Sequence, residues 1–190
     1  GTSGGSSGSP VINIDGEVVA LNAGGANSAA SSFFLPLNRI ERALNLIRNG
    51  EPVSRGTMQA VFERKAYDEL RRLGLTTASE ELVRSTFPGQ TGMLTVSQVI
   101  PDSPAYGKLE PGDTLIRVNN ALITEFVPLA AVFDARVGQT VSIEIERGGE
   151  TITEEIEVTN LHDISPDEFL EFGDAVVNDL SYQQARHYNQ

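Results

Sequence analysis

The segment Gly5-Ser6-Ser7-Gly8-Ser9-Pro10 runs without a break into two β-rich stretches, residues 11–14 and 17–22, joined by Asp15-Gly16. Small residues let a backbone turn tightly around one side chain, and Asp-Gly between β-rich runs specifies a two-residue hairpin of type I′. A flexible Gly/Ser linker has no reason to feed a hairpin in fixed register, so the pair predicts a serine on a tight turn at the mouth of a sheet. Read as chemistry, Gly-x-Ser-Gly-x-Pro exposes one hydroxyl and aims backbone N–H groups at a developing oxyanion. Gly1-Thr2-Ser3-Gly4-Gly5 also fits Gly-x-Ser-Gly-Gly, so Ser3 competes with Ser7 for the nucleophile's role.

Beyond the hairpin, residues 23–32 are small and polar and read as a surface loop, and residues 33–37 as a short buried strand. Asn38 with Glu41 has the form of a capping box. Ile40, Ala43, Leu44 and Ile47 then recur at helical spacing until Gly50. Glu51-Pro52-Val53-Ser54 breaks the helix, and a new module opens at Arg55. Its pattern predicts a loop entering a strand over residues 56–62, helices over 66–73 and 77–87, and a strand over 94–100. A strand over 114–118 turns back at Asn119-Asn120, and a helix covers 126–135. Residues 141–147 and 151–158 pair across Gly148-Gly149, with Val141, Ile143 and Ile145 facing one way and Ser142, Glu144 and Glu146 the other. Ser165-Pro166-Asp167-Glu168 reads as a helix start, followed by a strand-like run from Gly173 to Asn178. Tyr67-Asp68-Glu69-Leu70-Arg71 recurs one module length later as Tyr182-Gln183-Gln184-Ala185-Arg186.

The length of 190 residues suits two modules, or one module with two fragments. A net charge of −12 argues against nucleic acid, because phosphate binding needs clustered Lys and Arg. The absence of cysteine removes disulfides, thiolate nucleophiles and Cys-based metal sites, and no run reaches membrane-spanning length. No metal or cofactor site and no membrane insertion is expected. No signal peptide is visible, and any targeting segment is expected upstream, because the chain reads as starting inside a domain.

Gly5 to Pro10, Asn13, the Asp15-Gly16 turn and Phe33-Phe34-Leu35-Pro36-Leu37 resemble the C-terminal part of an HtrA/Deg-type serine protease domain. The order of strands, Pro-Gly-Asp turn, helix and final hairpin beyond them is similar to that family's permuted PDZ domain. The opening motif and the closing Leu180-Ser181-Tyr182-Gln183-Gln184-Ala185-Arg186 are most similar to its large multi-PDZ branch, which has fungal nuclear and chloroplast members. The family pattern places proline three residues after the nucleophile and asparagine six after. Pro10 and Asn13 meet it for Ser7, whereas Ser3 meets Ser6 and Ser9.

The resemblance implies a mainly β chain with some helix. Residues 1–50 are the C-terminal part of a chymotrypsin-like β-barrel, 51–54 a linker, 55–160 a permuted PDZ domain, and 161–190 the start of a second PDZ-like unit. It implies that Ser7 is the nucleophile and that the N–H groups of Gly5 and Ser7 form the oxyanion hole. Substrate would add as a strand along Leu21, Asn22 and Ala23, with Phe33 and Leu35 lining the specificity pocket. A peptide carboxylate would lie on the loop at Thr57, Met58, Gln59 and Ala60, against Leu129 and Val132 of the helix. Gln59 stands where the family usually has glycine, and these apolar residues also suit a core. The implied partners are unfolded or C-terminal polypeptide segments, with homo-oligomers assembled through regions outside the chain.

A chymotrypsin-like triad runs His, Asp, Ser along the chain, but the two histidines here, His162 and His187, follow the serine and lie in another module. The chain by itself is therefore expected to be inactive. The alternative to a protease is a degenerate protease lobe with a peptide-binding scaffold.

Overall fold

The computed structural model describes residues 5–26 and 31–188, and the chain divides into two compact units at Val53/Ser54. Ser3 lies outside the described residues.

In the first unit, β1 (Pro10–Ile12), β2 (Val18–Ala26) and β3 (Ser31–Pro36) form an antiparallel sheet with β2 in the middle, followed by α1 (Leu37–Arg48). The β1–β2 hairpin is present, but its connection spans residues 13–17 rather than an Asp-Gly pair. Asn13 Oδ1 accepts the N–H groups of Asp15 and Glu17 at 3.0 and 2.9 Å, and Gly16 alone takes a positive φ, of +82°. The side chain of Asn13 therefore closes a wider turn. The surface loop expected over 23–32 is mostly strand, since β2 runs to Ala26 and β3 begins at Ser31. The strand expected to be buried shows Phe33 57% and Phe34 49% exposed. A single sheet has no opposing layer on which to bury both faces. The capping box does not form, because Pro36 occupies the N-cap and the helix is already under way at Asn38.

The second unit is built on a sheet ordered β10-β9-β7-β6-β5, with β8 added at β7. Its strands are β5 (Ala60–Ala66), β6 (Gly92–Val99), β7 (Thr114–Val118), β8 (Ala121–Leu122), β9 (Thr140–Arg147) and β10 (Glu150–Glu157). Helices α2 (Tyr67–Leu73), α3 (Thr77–Thr86) and α4 (Phe126–Asp134) interrupt them, and β4 (Gly56–Thr57) pairs with β11 (Thr159–Asn160). Both tight hairpins are of the expected kind. Asn119 and Asn120 have φ +48° and +67°, Gly148 and Gly149 +56° and +91°, the left-handed pair that a type I′ turn requires.

The sheet has two buried faces. Leu94, Val96, Ile143 and Ile145 join Met58, Leu129 and Phe133 in the main core, while Met93 and Ile116 meet Tyr67, Leu70, Leu75 and Val83 on the other side. A register shift of β7 against β9 between Leu115 and Arg117 lets Leu115 and Val118, three residues apart, share the main core. The second core explains the burial of a charged residue. Glu146, on the face of β9 opposite Val141, Ile143 and Ile145 as its spacing predicts, is 2% exposed, because α2 and α3 cover that face. Its carboxylate accepts the Thr76 N–H at 2.8 Å and the hydroxyls of Thr76 and Ser79 at 2.9 and 2.5 Å, which satisfies the start of α3.

After β11, residues Leu161–Ile164 form one 3-10 turn, and no helix starts at Ser165. Pro166 disfavours helical geometry in the residue before it, and Ser165 is extended at φ −104°, ψ 123°. A hairpin of β12 (Leu170–Phe172) and β13 (Ala175–Val177) follows, then α5 (Tyr182–Tyr188).

Candidate functional site

The serine segment is wrapped around Asn22. Gly8 N–H donates to the Asn22 carbonyl at 2.7 Å, and Asn22 N–H donates to the Ser9 carbonyl at 2.9 Å. The buried Asn22 amide donates to the Ser6 carbonyl at 3.0 Å and to the Ser6 hydroxyl at 2.9 Å. Gly5 and Gly8 take φ +89° and +84°, which a side chain would strain. Held at these points, the turn presents Ser7 to solvent.

The same bonds correct one expectation. Leu21 and Asn22 are occupied on both edges, by Pro10 and the serine segment on one side and by Leu35 and Phe34 on the other. An added strand therefore has no free backbone at either residue. Ala23 and the residues after it keep an edge without a strand partner among the described residues on the side of the serine turn.

In the second unit, Asp134 at the end of α4 accepts the Gly56 N–H at 2.9 Å and the Arg55 Nε–H at 3.2 Å, which seats β4 against the helix. The approach is close enough that a Cβ on Gly56 would lie 2.1 Å from the Phe133 carbonyl oxygen. The loop of residues 57–60 leaves β4 beside this junction. Thr57 and Met58 are buried, Met58 with Leu129 in the main core, while Gln59 and Ala60 are half-buried. Val132 lines a separate groove with Val118, Ala121, Ala131 and Arg136. Gln59 takes φ +59°, the conformation for which glycine is better suited, and its N–H donates to the Thr57 hydroxyl at 2.9 Å.

Two charged clusters that spacing did not reveal fix the surroundings. Arg147 grips the buried Asp113 through Nε and a terminal nitrogen at 2.7 and 2.8 Å, and Asp113 also accepts the Glu110 N–H, locking the Glu110-Pro111-Gly112-Asp113 turn. Arg71 donates twice to Glu80 at 2.6 Å, and Arg84 adds a bond at 2.8 Å while stacking 4.0 Å from the Tyr67 ring centre. The Arg71 hydrogen bonds lead in holding the Glu80 carboxyl at about 2, against the opposing push of burial. Among the described residues no group of three or more His, Asp or Glu is placed to hold a metal ion, and no helix is long and apolar enough to cross a membrane.

The PDZ-domain family matches residues 72–158. The chain is 54% identical over 187 residues to pro-apoptotic serine protease NMA111 of Phaeosphaeria nodorum, covering 98% of this chain and 18% of that protein. Over 199 residues it is 50% identical to Protease Do-like 7 of Arabidopsis thaliana, covering 99% of this chain and 18% of that one. Over nearly its whole length the chain is thus similar to one part of these much longer, PDZ-containing serine proteases. It spans about a fifth of the length of these relatives. Among solved structures it is similar to the HtrA-type protease AlgW with decapeptide, at 24% identity and a TM-score of 0.47, covering 80% of this chain and 44% of that one. Both histidines of the chain lie in the second unit, and the first unit carries none.

Proposed function

We propose that the chain is the serine-bearing and peptide-recognising part of an HtrA-type serine endopeptidase, with Ser7 the nucleophile and the N–H groups of Gly5 and Ser7 the oxyanion donors. The observation that carries this reading is the serine turn. A buried asparagine and two positive-φ glycines hold it, and one hydroxyl is presented to solvent. Residues 1–50 are the C-terminal part of a chymotrypsin-like barrel, a reading supported by the apolar side chains Ile12, Val18, Val19, Phe33 and Phe34 left exposed on a lone sheet. Residues 55–160 are a permuted PDZ domain. Residues 161–190 open a second PDZ-like unit, whose hairpin exposes Phe172, Val176 and Val177 for want of a core. Substrate pairs as a strand from Ala23 onward, where the edge of β2 has no strand partner among the described residues, with Phe33 and Leu35 nearby.

The PDZ module binds unfolded or C-terminal polypeptide segments on the loop of residues 57–60, beside α4. Two measurements test these roles. In the full-length protein Ser7→Ala abolishes casein hydrolysis and fluorophosphonate labelling, while the 190-residue chain is not labelled, because a serine without a base stays protonated. Labelling of Ser7 in the 190-residue chain refutes the account of a missing base, and labelling that survives Ser7→Ala in the full-length protein refutes Ser7 as nucleophile. A peptide with an apolar terminus and a free carboxylate binds the module more tightly than its amide, and equal binding of the two excludes carboxylate capture.

A further inference from the structure

We propose that Asn22 is a positioning residue for the oxyanion hole, its side-chain amide fixing the direction of the Ser7 N–H; the proposal rests on the reading of Ser7 as nucleophile. The Ser6 carbonyl and the Ser7 N–H belong to one planar trans peptide, so the two point in opposite directions and neither turns without the other. The Ser6 carbonyl accepts an amide N–H of Asn22 at 3.0 Å and the Ser9 N–H at 3.1 Å. Two bonds fill both acceptor sites of that oxygen. With the carbonyl turned onto Asn22, the Ser7 N–H is aimed away from it, and it donates to none of the described residues.

Asn22 also holds the other side of the nucleophile. The Gly8 N–H, which shares a peptide with the Ser7 carbonyl, donates to the Asn22 carbonyl at 2.7 Å, so both peptides flanking Ser7 are tied to one residue. That second tie is made by main chain and needs no particular side chain. The first needs an amide. A further amide bond, to the Ser6 hydroxyl at 2.9 Å, fixes which way the amide faces, and a flipped side chain would set its oxygen against the Ser6 carbonyl.

The amide stands there against its own burial. Asn22 is 6% exposed, and its Oδ1 is buried with no hydrogen-bond partner. An orphaned acceptor in a dry site is destabilising, and an apolar side chain of the same shape would avoid it. What the amide supplies is the pair of bonds to Ser6, the residue next to the nucleophile. The orphan thus marks a position where stability is given up for the geometry of the turn.

The test uses the full-length protein with Asn22→Asp, which keeps the shape and exchanges the donor for an acceptor, and Asn22→Leu, which removes both. A fluorophosphonate titrates the active sites to completion, so that misfolded chains are not counted. Hydrolysis of fluorescein-labelled casein is then measured per titrated site at about pH 8, where an introduced carboxyl is ionised. An oxyanion donor acts on charge that develops in the transition state, so kcat per site is expected to fall about tenfold to a hundredfold in both variants, with KM within about twofold of the wild type. Should Asn22→Leu leave no titrated sites, Asn22→Asp decides. Wild-type kcat per site overturns the proposal, and so does a loss confined to the number of titrated sites, which would leave Asn22 a part of the fold alone. A raised KM at unchanged kcat also overturns it, because Asn22 would then act on the bound substrate. Labelling that survives Ser7→Ala refutes the nucleophile reading and this proposal with it, whereas the Asn22 outcomes refute this proposal and leave that reading standing.

Discussion

Replacing Glu80 by Gln keeps the shape of the side chain and removes the charge on which three hydrogen bonds converge. The carboxylate, 10% exposed, accepts two bonds of 2.6 Å from Arg71 and one of 2.8 Å from Arg84. These hold its pKa down from 4.5 to about 2. A displacement of that size corresponds to at most about 3 kcal/mol. Both arginines are half exposed, at 55% and 50%, so water screens the pair and about 1–2 kcal/mol is the expected net contribution. Because the folded value lies below the unfolded one, the contribution is complete above pH 4.5. It fades as the pH falls, and is lost once the folded carboxyl itself takes up a proton near pH 2. Urea unfolding of the wild type and Glu80→Gln should therefore differ by about 1–2 kcal/mol at pH 7, and the two should converge steadily between pH 4.5 and 2. A difference that stays constant down to pH 2.5 would assign the effect to packing, and no difference at pH 7 would mean that the ion pairs contribute nothing net.

Glu146→Ala strands the Thr76 N–H and two hydroxyls at the start of α3 and should cost about 3 kcal/mol, whereas Glu144→Ala, two residues away and paired with the half-exposed Arg117, should cost about 1 kcal/mol or less by the same unfolding assay. Gly56→Ala drives a Cβ into the Phe133 carbonyl and should cost at least about 3 kcal/mol while releasing β4 from α4, seen as loss of protection at the Gly56 amide; a near-neutral effect would refute the packing. Gln59→Val places a β-branched residue at positive φ and should cost about 1–2 kcal/mol in thermal unfolding, with Gln59→Gly close to the wild type.

The local signals in the sequence were those that a few neighbouring residues settle among themselves. Asn119-Asn120 and Gly148-Gly149 specify their turns because left-handed backbone is a property of the residue. Gly74 ends α2 at φ +111° for the same reason, and Val141, Ile143 and Ile145 alternate inward because a strand has period two. The serine turn was legible as a motif, but not its peg: Asn22 sits sixteen positions from Ser6, and its amide meets that residue only once β1 and β2 have paired. Tertiary structure alone decided what lies across from each face. Glu146 obeys the alternation and is still buried, because α2 and α3 fold over a face that periodicity assigns to water. Phe33 and Phe34 have core composition and lie exposed, because burial needs a second layer and a single sheet supplies none.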